Sequence, residues 1–293
     1  MSTAAQHELR AWKIADAVAS AWWASGGGDA AEIPLGVLAA LSLVAVWAPQ
    51  PGPHLAEQIS ALDQDRFASF LRGAWRMFAI TRPELSIRTG PFAQWLDDET
   101  AGSQRTAAHR TAGSVLASGE FFTGDERALF TDTDLLGCAY QVLANPRGTK
   151  ARGEVYTPPD VAEVLMRIRL AGAEPGQTIT DDSAGTGSFL RAAAQLLREN
   201  DVDPHTMHWY ATDIDPVAIA ALAVNAQLWD LGPHVVIARA DILTEPDWTA
   251  RAAAEQARAL NDHNLRLNLA RLLAAEHALR PGHPPEPGQP DRM

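Results

Sequence analysis

The sequence predicts a helical amino-terminal domain followed by an open α/β sheet that stops early and gives way to one long helix. Three observations carry this reading. Helical periodicity recurs between breakers from residue 1 to about 130. Three short β-prone runs then alternate with helical patterns, which is the texture of parallel strands joined by crossover helices. Residues 249–280 finally read as one uninterrupted helix with Leu265, Leu269, Leu272 and Leu273 along one face. A length of 293 residues leaves room for two compact cores. The expected division is a helical domain over 1–130, a sheet domain over 131–247, a helix over 248–280 and a tail over 281–293. Five prolines and little to bury make that tail an expected disordered segment.

In the helical part the breakers are "GGG" at 26–28, "APQPGP" at 48–53, and Pro83 and Pro91. The run "PLGVLAALSLVAVWA" has 15 residues, short of the roughly 20 that cross a bilayer, and reads as a helix buried within a bundle. "MSTAAQHELRAWK" has no basic region leading into a long apolar stretch, so no secretory signal and no membrane are expected. The one cysteine, Cys138, excludes an internal disulfide and suits the reducing cytoplasm, where it is expected to be a small buried hydrophobe. Trp12, Trp22, Trp23, Trp47, Trp75 and Trp95 are scattered without interleaved Lys or Arg and read as core filler rather than a stacking platform. Lys and Arg total 24 against 36 Asp and Glu, a formal charge of −12. Such a chain is repelled by phosphate backbones, so any nucleic-acid role calls for a basic partner.

In the sheet part, "GQTITD" (176–181), "MHWYATD" (207–213) and "HVVIARAD" (234–241) read as strands. Phe189, Ala193, Leu196 and Leu197 repeat at helical spacing after the first, and Val217, Ala221, Val224 and Leu228 after the second. Asp215 is placed to cap the second helix, with Pro216 in its first turn, where no backbone donor is needed. Upstream, "TPPD" offers Thr157 as a cap with Asp160 three residues on.

"DDSAGTGSFL" (181–190) sets a carboxylate four positions ahead of a Gly-Thr-Gly turn at the end of the first strand, where parallel sheets bind nucleotide-like ligands. Leu190 stands where a dinucleotide fingerprint needs a third glycine, and the Gly-Lys-Ser/Thr ending of a phosphate loop is absent. S-adenosylmethionine fits better. Gly185 and Gly187 let the backbone approach an adenosyl group, and Asp181 faces its cationic amino acid end. Asp213 is placed for the ribose hydroxyls and Asp241 for the adenine amino group, so each of the three strands ends in an aspartate on one rim. His205 and His208 lack a nearby acidic helix and read as solvated side chains rather than a metal site; no metal is expected.

These motifs resemble a known family, the adenine-N6 DNA methyltransferases, and within it the modification subunit of type I restriction-modification systems. "DLLGCAYQVLANPRGTKARGEVYTPPDV" looks like that family's approach to its "FYTP" motif, which maps onto Tyr156, Thr157 and Pro158. "DDSAGTGSFL" is similar to its "DPACGTGGFL", with Asp182 in place of proline. "ATDIDPVAIAALAVNAQL" and "ARADIL" match the motifs of the second and third strands, and residues 11–47 resemble the helical amino-terminal domain. The resemblance implies a truncated Rossmann-like methyltransferase core that binds S-adenosylmethionine through Tyr156, Thr157, Pro158, Asp181, Ala184, Gly185, Thr186, Gly187, Asp213, Ile214, Asp241 and Ile242. It further implies DNA as the distant substrate and a target-recognition subunit as partner.

The family's catalytic "[DN]PP[FY]" tetrapeptide, whose aromatic ring stacks on a flipped-out base, is missing. After Asp241 the chain runs into "TEPDWTARAAAEQARALNDHN", with no fourth-strand pattern. No catalytic residue is therefore assigned. In the family's sheet the fourth strand pairs with the first, so its loss leaves strand 1 an edge. Two covers are expected: the 249–280 helix folding over that flank, or a second polypeptide completing the sheet. Two functions follow: a methyltransferase subunit that needs partners for transfer, or a non-catalytic pseudo-methyltransferase serving as S-adenosylmethionine sensor, regulator or assembly subunit.

Overall fold

The computed structural model of the chain describes residues 3–98, 100–144 and 157–279. Its helical part is built around Glu32–Trp47, of whose 16 residues 12 are buried. A helix apolar on all sides has to be surrounded, and it is, by Thr3–Ala24, Gln64–Thr81, Gly102–Ala117, Glu126–Asp132 and Leu135–Ala144. Gly36 admits the backbone of the short helix Gly90–Ala93: a Cβ there would meet the Phe92 carbonyl oxygen at 2.7 Å. Asp63 caps Gln64–Thr81 by accepting from the Arg66 amide at 2.9 Å. Trp22 and Trp75 fill this core, and Trp12, Trp47 and Trp95 pack against it half-buried. Trp23 departs from the expectation, with 44% of its surface exposed. It follows Trp22 directly, and adjacent helical residues point to different faces. Cys138 is buried, which pushes its thiol well above the usual range.

Among the described residues the sheet has three parallel strands, β1 (Thr178–Asp181), β2 (His208–Asp213) and β3 (Val235–Arg239), in the order β1-β2-β3. The register sets Asp181 beside Ala211 and Asp213 beside Arg239, which brings the carboxyl ends of β1 and β2 to one rim. Helices Ser188–Glu199 and Pro216–Leu228 make the crossovers. The second buries ten of its 13 residues, because it lies between the sheet and the helical part, touching Glu32–Trp47 on one side and β2 and β3 on the other. One buried core consequently runs without a break from Ala11 to Ile237. This is the truncated Rossmann-like architecture, an open parallel sheet cut off after its third strand.

Helix Trp248–Leu279 corrects one expectation. It does not cover β1. Its first turns place Trp248 and Ala252 on Tyr210, Val236, Ala238 and Ala240, the opposite face of β2 and β3. Leu265, Leu269, Leu272 and Leu273 remain between 55% and 69% exposed. The outer edge of β3 is sealed by side chains. Gln256 Nε2 donates to the Val235 carbonyl at 2.7 Å, Arg88 Nε to that of Ile237 at 2.8 Å, and Arg251 Nη2 to that of Arg239 at 3.1 Å. Those are the alternate, outward-facing carbonyls of a parallel ladder.

The other edge contrasts with this. The bond from the His208 amide to the Gln177 carbonyl fixes the parity of β1, so its outward groups belong to Thr178 and Thr180, both exposed. Among the described residues no side chain bonds to them. Helix Pro159–Arg169, packed on Ser188–Glu199, leaves Val161, Val164, Leu165 and Ile168 at 44%, 59%, 41% and 70% exposure. Its cap also differs from expectation. The capping position is Pro158, with no side-chain bond, and Thr157 lies one residue too early to serve. Among the described residues no helix is long and apolar enough to cross a membrane.

Candidate functional site

The glycine turn follows β1 directly. Gly185 and Gly187 have φ of 55° and 100°, a left-handed conformation that glycine adopts without strain. Gly187 is also forced by packing, since a Cβ there would lie 2.4 Å from Leu222 Cδ1 and 2.8 Å from Trp229 Cζ3. At Gly185 a Cβ would meet nothing within 4 Å, so the turn presents bare backbone to open space. Ala184 is buried, its amide continuing the β1–β2 ladder to the Thr212 carbonyl at 2.9 Å, and Gly187 closes the turn by donating to the Ala184 carbonyl at 2.8 Å. Thr186 is buried beneath.

Two of the three expected aspartates converge on this turn. Asp213 accepts from the Gly185 amide through Oδ2 at 2.8 Å and from the Asp215 amide through Oδ1 at 2.9 Å, so it joins the turn after β1 to the loop after β2. Asp181 accepts from the Ser183 amide through Oδ1 at 3.2 Å. Its Oδ2 is enclosed and has no hydrogen-bond partner. Burial pushes the carboxyl of Asp181 upward, and the charges of Asp182 and Asp213 push it in the same direction. A buried carboxylate oxygen left unmatched is costly unless a donor arrives from outside the chain.

Asp241 is less directly placed. β3 ends at Arg239, and Asp241 opens the next turn, accepting from the Leu243 amide at 3.0 Å. Ile214 and Ile242, the residues after Asp213 and Asp241, are 62% and 37% exposed, and apolar side chains left open beside a rim suit a flat ligand. Thr157 is half-buried and Pro158 exposed, with no hydrogen bond to the rim among the described residues. Tyr156 lies outside the described residues, as does the expected tail over 281–293.

Asp215 caps Pro216–Leu228 as expected, accepting from the Val217 and Ala218 amides at 2.6 and 3.3 Å. Asp182, the departure from the family pattern, is exposed and accepts from Trp248 Nε1 at 3.1 Å, which ties the carboxy-terminal helix to the turn. Sequence reasoning missed Asp134 and Asn225. Asp134 accepts from the Thr186 hydroxyl at 2.6 Å, and Asn225 donates to the Thr186 carbonyl at 2.9 Å. The available signal was an aspartate immediately before the apolar start of a helix, with glycine three residues on.

A glycine turn at the carboxyl end of the first strand, with acidic residues on the same rim, lies where open α/β sheets in general bind nucleotide-like ligands. Residues 131–263 match the family model described as N-6 DNA Methylase. The methylase subunit of the type I restriction enzyme MpnII from Mycoplasma pneumoniae (strain ATCC 29342 / M129 / Subtype 1) is 26% identical over 119 residues, which cover 39% of this chain and 22% of that subunit. The chain thus spans about a fifth of the length of the relative it matches. Among solved structures, the methyltransferase subunit of a type I restriction-modification system from Streptococcus thermophilus superposes with a TM-score of 0.43 at 17% identity, over 80% of this chain and 60% of that one.

Proposed function

We propose that the chain is the S-adenosylmethionine-binding part of an adenine-N6 DNA methylation system of the restriction-modification kind, working with partner subunits. The carrying observation is the orphaned, enclosed Oδ2 of Asp181 beside a glycine turn that opens onto free space at Gly185. A cationic ligand whose flat part needs close backbone approach fits that pair of features. Asp181 would receive the ammonium end, Gly185 and Gly187 the body, Asp213 the ribose hydroxyls and Asp241 the adenine amino group, between Ile214 and Ile242. Ala184, Thr186, Tyr156, Thr157 and Pro158 complete the proposed set. When bound, the cofactor supplies an electrophilic methyl group on a sulfonium. Isothermal titration with S-adenosylmethionine tests the reading: wild type binds, and Asp213→Ala loses roughly tenfold or more, the worth of a bond to a charged group. Wild type that stays silent at millimolar ligand rejects it.

The acceptor half is proposed to come from elsewhere. The described sheet stops at β3, and no [DN]PP[FY] sequence follows it. The contrast between the edges supports a docking role for β1: the β3 edge is sealed at all three outward carbonyls, whereas among the described residues no side chain bonds to the outward groups of β1, at the exposed Thr178 and Thr180. Natural sheets protect an edge that must not pair. The partner proposed is a polypeptide that adds a parallel strand to β1 and carries the target-recognition and base-binding parts. Because aligning the acceptor supplies most of the catalysis in such transfers, the chain alone should transfer no labelled methyl group to unmethylated DNA.

A further inference from the structure

Residues 132–140 lead from the helical part into the sheet part and touch both loops of the rim. Asp134 caps Leu135–Ala144, accepting from the Gly137 amide through Oδ1 at 2.8 Å. The same oxygen accepts from Asn225 Nδ2 at 2.8 Å, while Oδ2 takes the Thr186 hydroxyl at 2.6 Å. Gly137 makes the approach possible, because a Cβ there would sit 2.0 Å from Asp134 Oδ2 and 2.6 Å from Thr186 Oγ1. One turn further, the Tyr140 hydroxyl donates to Asp215 Oδ2 at 2.5 Å in the loop after β2. Burial pushes the carboxyl of Asp134 upward. A helix cap can be met by an exposed aspartate at the surface. A half-buried one that bonds three separate elements gives up hydration, and that cost is offset only if its fixed geometry serves something.

We propose that Asp134 is a positioning residue for the cofactor turn: through Thr186 and Asn225 it holds residues 184–187 in the shape that receives the ligand, while Tyr140 steadies the loop after β2 through Asp215. The inference rests on the cofactor reading above. It places the determinant of that turn in the helical part, outside the strand motifs.

The test uses the full chain as wild type, Asp134→Asn, Asp134→Ala, Thr186→Ser and Thr186→Val. Three quantities are read: S-adenosylmethionine affinity by calorimetry, melting temperature, and amide exchange at Gly185 and Gly187 without ligand. Asp134→Asn keeps the side-chain volume and one acceptor, so it guards against simple misfolding. Asp134→Ala and Thr186→Val should weaken binding roughly tenfold or more, since each removes a bond to a charged group. Thr186→Ser keeps the hydroxyl that reaches Asp134 and should bind more tightly than Thr186→Val. Exchange at the two glycines should quicken in the weakened variants while amides of β2 and β3 keep their protection. A lowered melting temperature with unchanged affinity and unchanged glycine exchange overturns the proposal. If wild type itself takes no ligand, the cofactor reading falls, and glycine exchange still decides whether Asp134 shapes the turn.

Discussion

Two carboxylates meet the glycine turn, and they are satisfied differently. Asp213 is satisfied by two amides, whereas Asp181 has an enclosed oxygen with nothing to accept from and a carboxyl raised by burial and by its acidic neighbours. Because the folded value of Asp181 is raised, its contribution favours the fold at low pH and is lost as pH climbs from the ordinary carboxylate range through the raised value. A cation arriving beside it lowers that value again, so binding expels a proton and tightens with rising pH across the titration of Asp181. Calorimetry in buffers of different ionisation enthalpy would register the release, and Asp181→Asn should abolish it. Gly187 gives the sharpest stability prediction. Alanine there meets both a φ of 100° and the Leu222 and Trp229 side chains, so about 2 kcal/mol or more should be lost in denaturant melts. A wild-type midpoint for Gly187→Ala would contradict the packing described.

Among the elements, the carboxy-terminal helix is anchored by its beginning alone. Trp248, Ala252 and Gln256 are buried, whereas Leu265, Leu269, Leu272 and Leu273 are open to solvent. Trp248→Ala should cost about 3–5 kcal/mol, the range for emptying a buried aromatic site, and should free Asp182 as well. Truncation beyond residue 260 should leave the melting temperature nearly unchanged. Helix Thr3–Ala24 is held by a charge cluster: Asp125 meets Arg10 at 2.5 Å and His7 at 3.5 Å. Burial works against ionisation of Asp125, but bonds from Thr123 and Arg10 and the charges of Arg10 and His7 bring it down from 3.8 to about 2. A depressed folded value stabilises above the unfolded one, so this contribution is complete above about pH 4 and disappears as pH falls through 2. The side chain is 52% exposed, so solvent screening limits the effect to about 1 kcal/mol or less. Asp125→Asn should remove that part of the acid sensitivity in melts taken between pH 2 and 5.

The elements themselves were largely legible. Strands of period two and helices of period 3.6 announce their type locally, and Asp215 with Pro216 marks a helix start by chemistry confined to adjacent residues. Thr157 failed for the same local reason, since a cap must sit at one particular position and Pro158 occupies it. The cap position of Asp134 had a local signal, but its reach into the turn was illegible because its partners there, Thr186 and Asn225, lie 52 and 91 residues away.

At the scale of the whole molecule, the helical part and the sheet share one core through Pro216–Leu228, and the two edges of the sheet are treated in opposite ways. The β1 edge, bare among the described residues, predicts either self-association of the lone chain or capture by a strand-donating partner. Light scattering on the purified chain, with and without a candidate strand-donating partner, should show a change of mass; a monomer indifferent to it, with β1 amides protected from exchange, would argue against docking there. The formal charge of −12 adds that the chain alone should not retain DNA at physiological salt, as a gel-shift titration would show.

The sequence by itself determined the parallel strands, the glycine turn and the acidic residues beside it, because each is written in neighbouring residues whose periodicity or backbone freedom allows little else. Only the tertiary structure decided which carboxylate is left with an unmatched oxygen, which edge the last helix seals, and that Asp134 reaches the turn. Those outcomes depend on how distant segments pack, and burial and hydrogen-bond satisfaction exist only once they have done so.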